Sequence, residues 1–542
     1  MIKRYTKKWL WACWLCLGLS SSLVGQDYNS NSQLTQRLQG IANGSSSATL
    51  ESIAKTTGGN DIWMLTLAKG NADDKPAMVI AGGVEGKHLL GVEMTTRFAE
   101  RLLAEHEDVL DHTTFYVFPN LSPDATSQYF AALKYERSGN AKPRDDDRDG
   151  RLDEDPFEDL NGDGIITMMR VEDPTGDWIM HPADDRVMIK ANRKKGEKGK
   201  YHVLTEGRDN DQDGAFNEDG AGGVHFNKNF TYNFLYFTPG SGEHPVSEVE
   251  HRALLDLLYT KWNIYGIFTF GPGNNLSSPW KYNRANASKR VVTSILKGDA
   301  DINKLASDAY NKAVGLKGSP NSGAQGGDMF QWAYFHFGKL SFGTPGWWVP
   351  EAKKDTTQKA NKDKNKEVNF LRWAEQEGLS DYFATWTEIE HPDFPGKKVE
   401  VGGVAPFKML NPPLAMVDDV SDKHTDFIVE LAGMQASLEL INLKVESAGK
   451  GLTRVTVDLY NGGTLPTHSQ MGQRSRWLRR IKVALKLGSG QQIVSGRPVQ
   501  LINNIGGDDA ETLTWLIKGK GSLTIEAGAA HTGTTQTNVT LK

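Results

Sequence analysis

The sequence predicts an α/β domain on a mixed sheet, carrying an Asp-rich insertion and followed by a small all-β sandwich. Three observations lead there. Short apolar runs alternate with segments of helical period over residues 34–121 and again from 224 onward. Between them, residues 142–223 are rich in Asp, Gly, Lys and Arg and poor in apolar runs. Beyond 438 the texture changes to alternating segments separated by Gly-containing turns. At 542 residues the chain also exceeds what one hydrophobic core usually serves.

The N-terminus is distinct. Lys3, Arg4, Lys7 and Lys8 precede an apolar run at 9–19, and small residues follow up to Gly25. This is the pattern of a secretory signal peptide over 1–25, so an exported chain, periplasmic or extracellular, is expected. The run is too short to span a bilayer of about 30 Å, so no membrane span is expected after cleavage. Cys13 and Cys16 both lie inside it, which leaves the mature chain without thiol chemistry. With 67 acidic and 62 basic residues the net charge is −5, and no basic stripe marks a nucleic-acid partner.

Over 26–437, apolar strands are expected at 78–81, 115–118 and 264–270, and helices at 91–103 and 247–258. An aromatic run covers 331–348, a lysine-rich loop 352–366, and a last helix 425–438. Strands alternating with helices place function at the strand ends. The insertion, 142–223, should sit outside that sheet. In the sandwich, 438–542, strands are expected at 453–459, 480–487 and 513–517.

Five ordered segments carry a resemblance. Ala81-Gly-Gly-Val-Glu-Gly-Lys-His leaves a strand and enters a helix, Phe118-Pro-Asn-Leu-Ser-Pro-Asp follows the next strand, and Gly222-Gly-Val-His-Phe-Asn-Lys-Asn-Phe closes the insertion. His244-Pro-Val-Ser-Glu-Val-Glu-His-Arg-Ala starts a helix, and Gln331-Trp-Ala-Tyr runs through to Ser341-Phe-Gly-Thr-Pro. Together they resemble the zinc carboxypeptidases of the carboxypeptidase A type, which implies their phosphorylase/hydrolase-like mixed-sheet fold.

The resemblance implies Zn2+ and residue roles, with departures at the chemical positions. Glu85 stands where the family has its first histidine and His88 where it has its glutamate; both residue types bind zinc. The third ligand position falls on Phe270, which cannot coordinate metal. Asn227 and Lys228 occupy the Asn-Arg pair that holds the substrate carboxylate, and a lysine lacks the planar two-point bonding of arginine. Arg137 corresponds to an upstream substrate-contacting arginine; equally, it reads as a surface arginine in a polar turn. Tyr334 takes the mobile tyrosine position. Pro345 occupies the place of the catalytic glutamate and has no titratable group.

Inside the insertion three loops share an Asp-x-Asp/Asn-x-Asp-Gly pattern: Asp145, Asp147 and Asp149; Asp159, Asn161 and Asp163; Asp209, Asp211 and Asp213. Such loops converge hard oxygen ligands on Ca2+, with Gly permitting the sharp turn. Glutamate is absent from each twelfth position, so Asp155 or Asp219 would have to complete the ligands; the alternative is a solvated acidic loop.

The expected protein is an exported relative of the metallocarboxypeptidases with impaired or lost catalysis and a cleft for peptides or cell-wall stem peptides. Two alternatives stand beside it. One is an active zinc carboxypeptidase whose metal site is rebuilt from Glu85, His88 and His225 or His336. The other is a calcium-ordered adhesion or scaffold protein.

Overall fold

The computed structural model describes residues 27–145, 150–153, 155–212, 214, 216–217, 222–353 and 364–541. The proposed signal peptide, most of the lysine-rich loop, and Asp147, Asp149, Asp213 and Asp219 lie outside the described residues.

Twelve strands precede residue 405, in chain order: β1 (Ala48–Lys55), β2 (Asp61–Leu67), β3 (Ala77–Ala81), β4 (Thr114–Phe118), β5 (Met168–Glu172), β6 (Trp178–His181), β7 (Asp184–Lys190), β8 (Tyr201–Thr205), β9 (Ile264–Phe270), β10 (Leu340–Thr344), β11 (Phe383–Ile389) and β12 (Val399–Val404). The first sheet has the order β1-β2-β4-β3-β9-β10. Its four strands β4, β3, β9 and β10 are parallel, and β2 joins antiparallel. Every residue of β3 and β4 is buried, as continuous apolar runs covered on both faces require.

Alternate residues feed two cores. Met78, Ile80, Phe115, Val117, Phe268 and Phe270 point to one face, where they meet Leu90, Met94, Phe98 and Leu102 of helix Leu89–Glu105. Val79, Tyr116, Phe118 and Ile267 point to the other, against Leu254 and Leu258 of helix Val249–Thr260. Full burial of one such aliphatic or aromatic side chain contributes about 1.5–3 kcal/mol.

The 142–223 segment stays outside this sheet and builds another. Strands β5 to β8 join β11 and β12 in the order β11-β12-β5-β8-β6-β7. Its apolar side is small, with Met169, Val171, Val399 and Val401 at its centre. On the opposite side Arg170 bonds Glu400 at 2.8 Å and lies 4.4 Å from the Trp386 ring. Half its strands thus read as polar, which is why periodicity does not reveal them.

The last helix before the C-terminal region is Asp418–Gly433, shifted from the expected 425–438; Leu438 already begins a strand. Eight strands follow: β13 (Leu438–Gly449), β14 (Leu452–Asn461), β15 (Ile481–Lys486), β16 (Gln492–Ser495), β17 (Val499–Ile502), β18 (Asp509–Lys518), β19 (Gly521–Ala529) and β20 (Gly533–Leu541). They form two antiparallel four-stranded sheets, β13-β14-β18-β16 and β17-β15-β19-β20. Val455, Val457 and Leu459 from one and Val483, Ile525 and Val539 from the other share one core. The alternation in β14 gives one buried face and one wetter face.

Candidate functional site

The parallel strands β3, β4, β9 and β10 deliver their carboxyl ends to one side of the sheet. The β3 turn is tight: a Cβ on Gly82 would meet the Gly91 carbonyl at 2.3 Å, and Gly83 has φ +58°. The turn carries Glu85, Lys87 and His88, and the His88 backbone N–H donates to the Glu85 carbonyl at 2.9 Å. Asn411 fixes the helix start by accepting from Leu90 N at 2.9 Å and donating to the Lys87 carbonyl.

His88 is 5% exposed, and its ring faces the Pro345 carbonyl at the end of β10. Burial pushes its pKa down to about 4, so the ring is neutral at pH 7. Burial raises Glu85, while Ser138, Lys87 and Lys228 pull it back. Phe270 turns its ring into the sheet's core, 5.0 Å from Phe268 and 5.7 Å from the His424 ring. Its neighbour Gly346 would place a Cβ 3.3 Å from that ring.

The donors at these positions do not fit zinc. A catalytic zinc site supplies three protein ligands, whereas here Phe270 and Pro345 offer no side-chain donor and Phe270 is packed away from the strand end. Among the described residues no group of three or more His, Cys, Asp or Glu side chains could hold a metal ion. Neither candidate third histidine changes that. His336 sits at the end of helix Met329–Phe335, its Nδ1 2.8 Å from Thr231 Oγ1. His225 is pushed down to about 3 by burial and by Lys228, Arg144 and Lys87, and Gly240 lies so close that a Cβ there would be 2.5 Å from its ring.

The residues aligned with substrate binding divide. Asn227 is buried and structural, its Oδ1 accepting from Met329 N at 3.2 Å. Lys228 donates to the Pro239 carbonyl at 2.9 Å while its charge acts on both Glu85 and His225. Arg137 spends its guanidinium on its own turn, donating to the Gly139 carbonyl at 3.1 Å and the Asn140 carbonyl at 2.5 Å. Tyr334 differs most from the mobile role implied for it. It is 2% exposed, donates to Asp299 Oδ2 at 2.7 Å and accepts from Leu296 N at 2.9 Å. Asp299 in turn accepts from Gln470 N and Met471 N, tying this tyrosine to the C-terminal region.

The acidic loops share one geometry. Asp145, Asp159 and Asp209 each accept, through a carboxylate oxygen, from the backbone N–H of the glycine five residues on. In the middle loop Asn161 donates to Asp163 at 3.0 Å, and Asp163 accepts from Ile165 N. Asp211 is described beside Asp209 in the third loop. Asp155 joins the loops, its oxygens accepting from Asn210 N, Asn210 Nδ2 and Asn217 N.

Three residues organise the surrounding loops, and only Asn140 lies outside the quoted segments. Asn140 donates to Glu248 and Glu250 and accepts from Val224 N. Asp124 gathers Thr56, Gly58 N, Asn60 and Ala141 N on one carboxylate. Lys87 bonds Glu136 at 2.9 Å. The Pro-Asp and Ser-Glu-Val-Glu segments are thus hydrogen-bonding anchors of the loops, a role that needs partners distant in sequence.

A family model described as zinc carboxypeptidase matches residues 34–155. A model described as a domain of unknown function (DUF8731) matches 437–540. Carboxypeptidase B of Astacus astacus is 29% identical over 86 residues, covering 15% of this chain and 28% of that protein. The match thus spans under a third of the relative's length. Two solved structures are similar at low identity. Thrombin activatable fibrinolysis inhibitor is 12% identical with TM-score 0.41, covering 76% of this chain and 78% of that one. Carboxypeptidase A from Helicoverpa armigera is 12% identical with TM-score 0.37, covering 65% and 72%. Over residues 34–155 the chain is thus similar to the zinc carboxypeptidases.

Proposed function

We propose that this chain is an exported carboxypeptidase relative that has lost metal-dependent hydrolysis and keeps a cleft for the free C-terminus of a peptide, cell-wall stem peptides included. The observation that carries this reading is Phe270, whose ring is packed into the core where the family's third ligand would stand. Pro345 at the neighbouring strand end supplies a carbonyl to His88 and no base. Lys87 and Lys228 act on both Glu85 and His225 and Arg144 acts on His225, while Glu136 pairs with Lys87. Such a field attracts a terminal carboxylate, though with less directional selectivity than a bidentate arginine.

Titration calorimetry with one peptide in free-acid and C-terminally amidated forms tests this. The free acid should bind at least about tenfold tighter, a difference of about 1.4 kcal/mol, and Lys228→Met should erase the preference. Equal binding of both forms would contradict a carboxylate cleft. Export is checked by sequencing the N-terminus of protein recovered outside the cytoplasm, which should begin near Gln26.

A second reading concerns the insertion. The shared bond from the first aspartate to the glycine five residues on favours calcium loops over an unstructured acidic stretch. Addition of calcium should raise amide protection over 155–212, and a null effect at millimolar calcium would contradict it.

A further inference from the structure

Where the α/β part meets the C-terminal region, the chain forms a recess of about 20 Å3. Tyr265 of β9, Lys339 immediately before β10, and Thr467, His468 and His531 from the C-terminal side line it. No Asp or Glu does. Lys339 is 7% exposed. Among the described residues its ammonium has no hydrogen-bond acceptor or ion-pair partner, and it lies 5.2 Å from the centre of the Phe337 ring. His468 Nε2, His531 Nε2 and the Tyr265 hydroxyl are buried without partners among the described residues. The two imidazoles lie 6.4 Å apart at 73°.

Buried polar groups are ordinarily satisfied, and a buried cation without a counter-charge is strongly unfavourable. One orphaned atom is a packing accident; three lining the same space, beside a lysine with no acceptor among the described residues, describe a site for a polar ligand. The charge fixes its sign, because Lys339 acts on both histidines and Arg480 adds a further positive charge near His468. The volume fixes its size. A single water needs about 10–15 Å3, so the space of about 20 Å3 suits a particle of that class.

We propose that this space is a binding site for a small monatomic anion of the halide class, held by Lys339 and Tyr265 and bridging the two parts of the chain. Lys339 Nζ and the Tyr265 hydroxyl donate to it directly. His531 already turns one ring nitrogen to the Thr467 carbonyl, so its Nε2 becomes a donor when the ring takes up a proton. Anion and proton therefore bind together, and affinity rises as pH falls. The groups facing His531 are Lys339, His468 and Tyr265, with Arg480 behind His468; none is an acid that would compete for its proton. The site is separate from the peptide cleft, and its fate is independent of that reading.

Crystals of the full chain soaked in sodium bromide test it directly. An anomalous peak is expected between Lys339 Nζ and His531 Nε2; a water there without anomalous signal would overturn the proposal. In solution, replacing gluconate by bromide at constant ionic strength should raise Tm saturably by about 1–3 °C, more at pH 6 than at pH 8. Lys339→Met should abolish that response, and an unchanged response in this variant would also overturn it. The bromide peak is measured on the native chain, so it decides the matter even if the variant does not accumulate.

Discussion

Replacing Tyr334 by Phe removes one oxygen and no packing volume, so its cost isolates the hydroxyl's two bonds. That hydroxyl donates to Asp299 at 2.7 Å and accepts from Leu296 N at 2.9 Å, between side chains each 2% exposed. Asp299 keeps Gln470 N and Met471 N as donors, so the carboxylate is weakened rather than orphaned. A hydrogen bond to a charged group contributes about 1.5–3 kcal/mol net, and the Leu296 amide loses its acceptor as well. We expect Tyr334→Phe to lose about 2–3 kcal/mol of local stability. The assay is native-state hydrogen exchange, read at the amides of Leu296, Gln470 and Met471 beside the urea midpoint. Exchange at these amides should accelerate roughly thirtyfold or more. A loss below about 0.5 kcal/mol, with protection unchanged, would refute the picture of a locked tyrosine and restore a mobile, substrate-facing one.

In halide-free buffer, burial holds Lys339 at about 8. Its folded pKa lies below its unfolded one, so its contribution to stability is fully present above about 10.4, declines as pH falls, and is lost below about 8. Stability should therefore climb by up to about 3 kcal/mol between pH 8 and 10 from this group, and Lys339→Met should flatten that rise in pH-dependent urea unfolding. Asp155→Ala should speed exchange at the amides of Asn210 and Asn217 at least about tenfold, since each loses an acceptor worth about 1–3 kcal/mol; unchanged rates would show that the carboxylate does not tie these loops. Arg170→Met leaves Glu400 with Lys398 alone and should cost about 3 kcal/mol, measured as a lower urea midpoint.

The strands that build the central sheet are legible because their burial is nearly complete. Residues 264–270 read as an apolar strand and are β9 without adjustment, and the run at 115–118 is β4 but for Thr114. The positions of the chemical residues follow from the same strand ends. Their orientation does not. Phe270 is visible in sequence as a non-ligand, but that its ring turns into the core depends on Phe268 and His424, the latter 154 residues further on. Tyr334 reads as a cleft residue by resemblance, while Asp299 and the backbone of Gln470 and Met471, which fix it, share no pattern with it. The insertion's sheet is hidden because β5 to β8 complete themselves only with β11 and β12, some two hundred residues downstream. Lys339 illustrates the limit most clearly: a lysine after glycine reads as surface, and it lies among residues such as His468 and His531, over a hundred positions downstream.

We propose a carboxypeptidase-like scaffold without the metal chemistry of the zinc carboxypeptidases. Metal content of the full chain, purified and equilibrated with equimolar zinc, tests it most directly when read beside hydrolysis of C-terminal reporter peptides. The account predicts far less than one zinc per chain and no turnover that a chelator abolishes. One tightly held zinc per chain, with turnover lost on chelation and in His88→Ala, would contradict it.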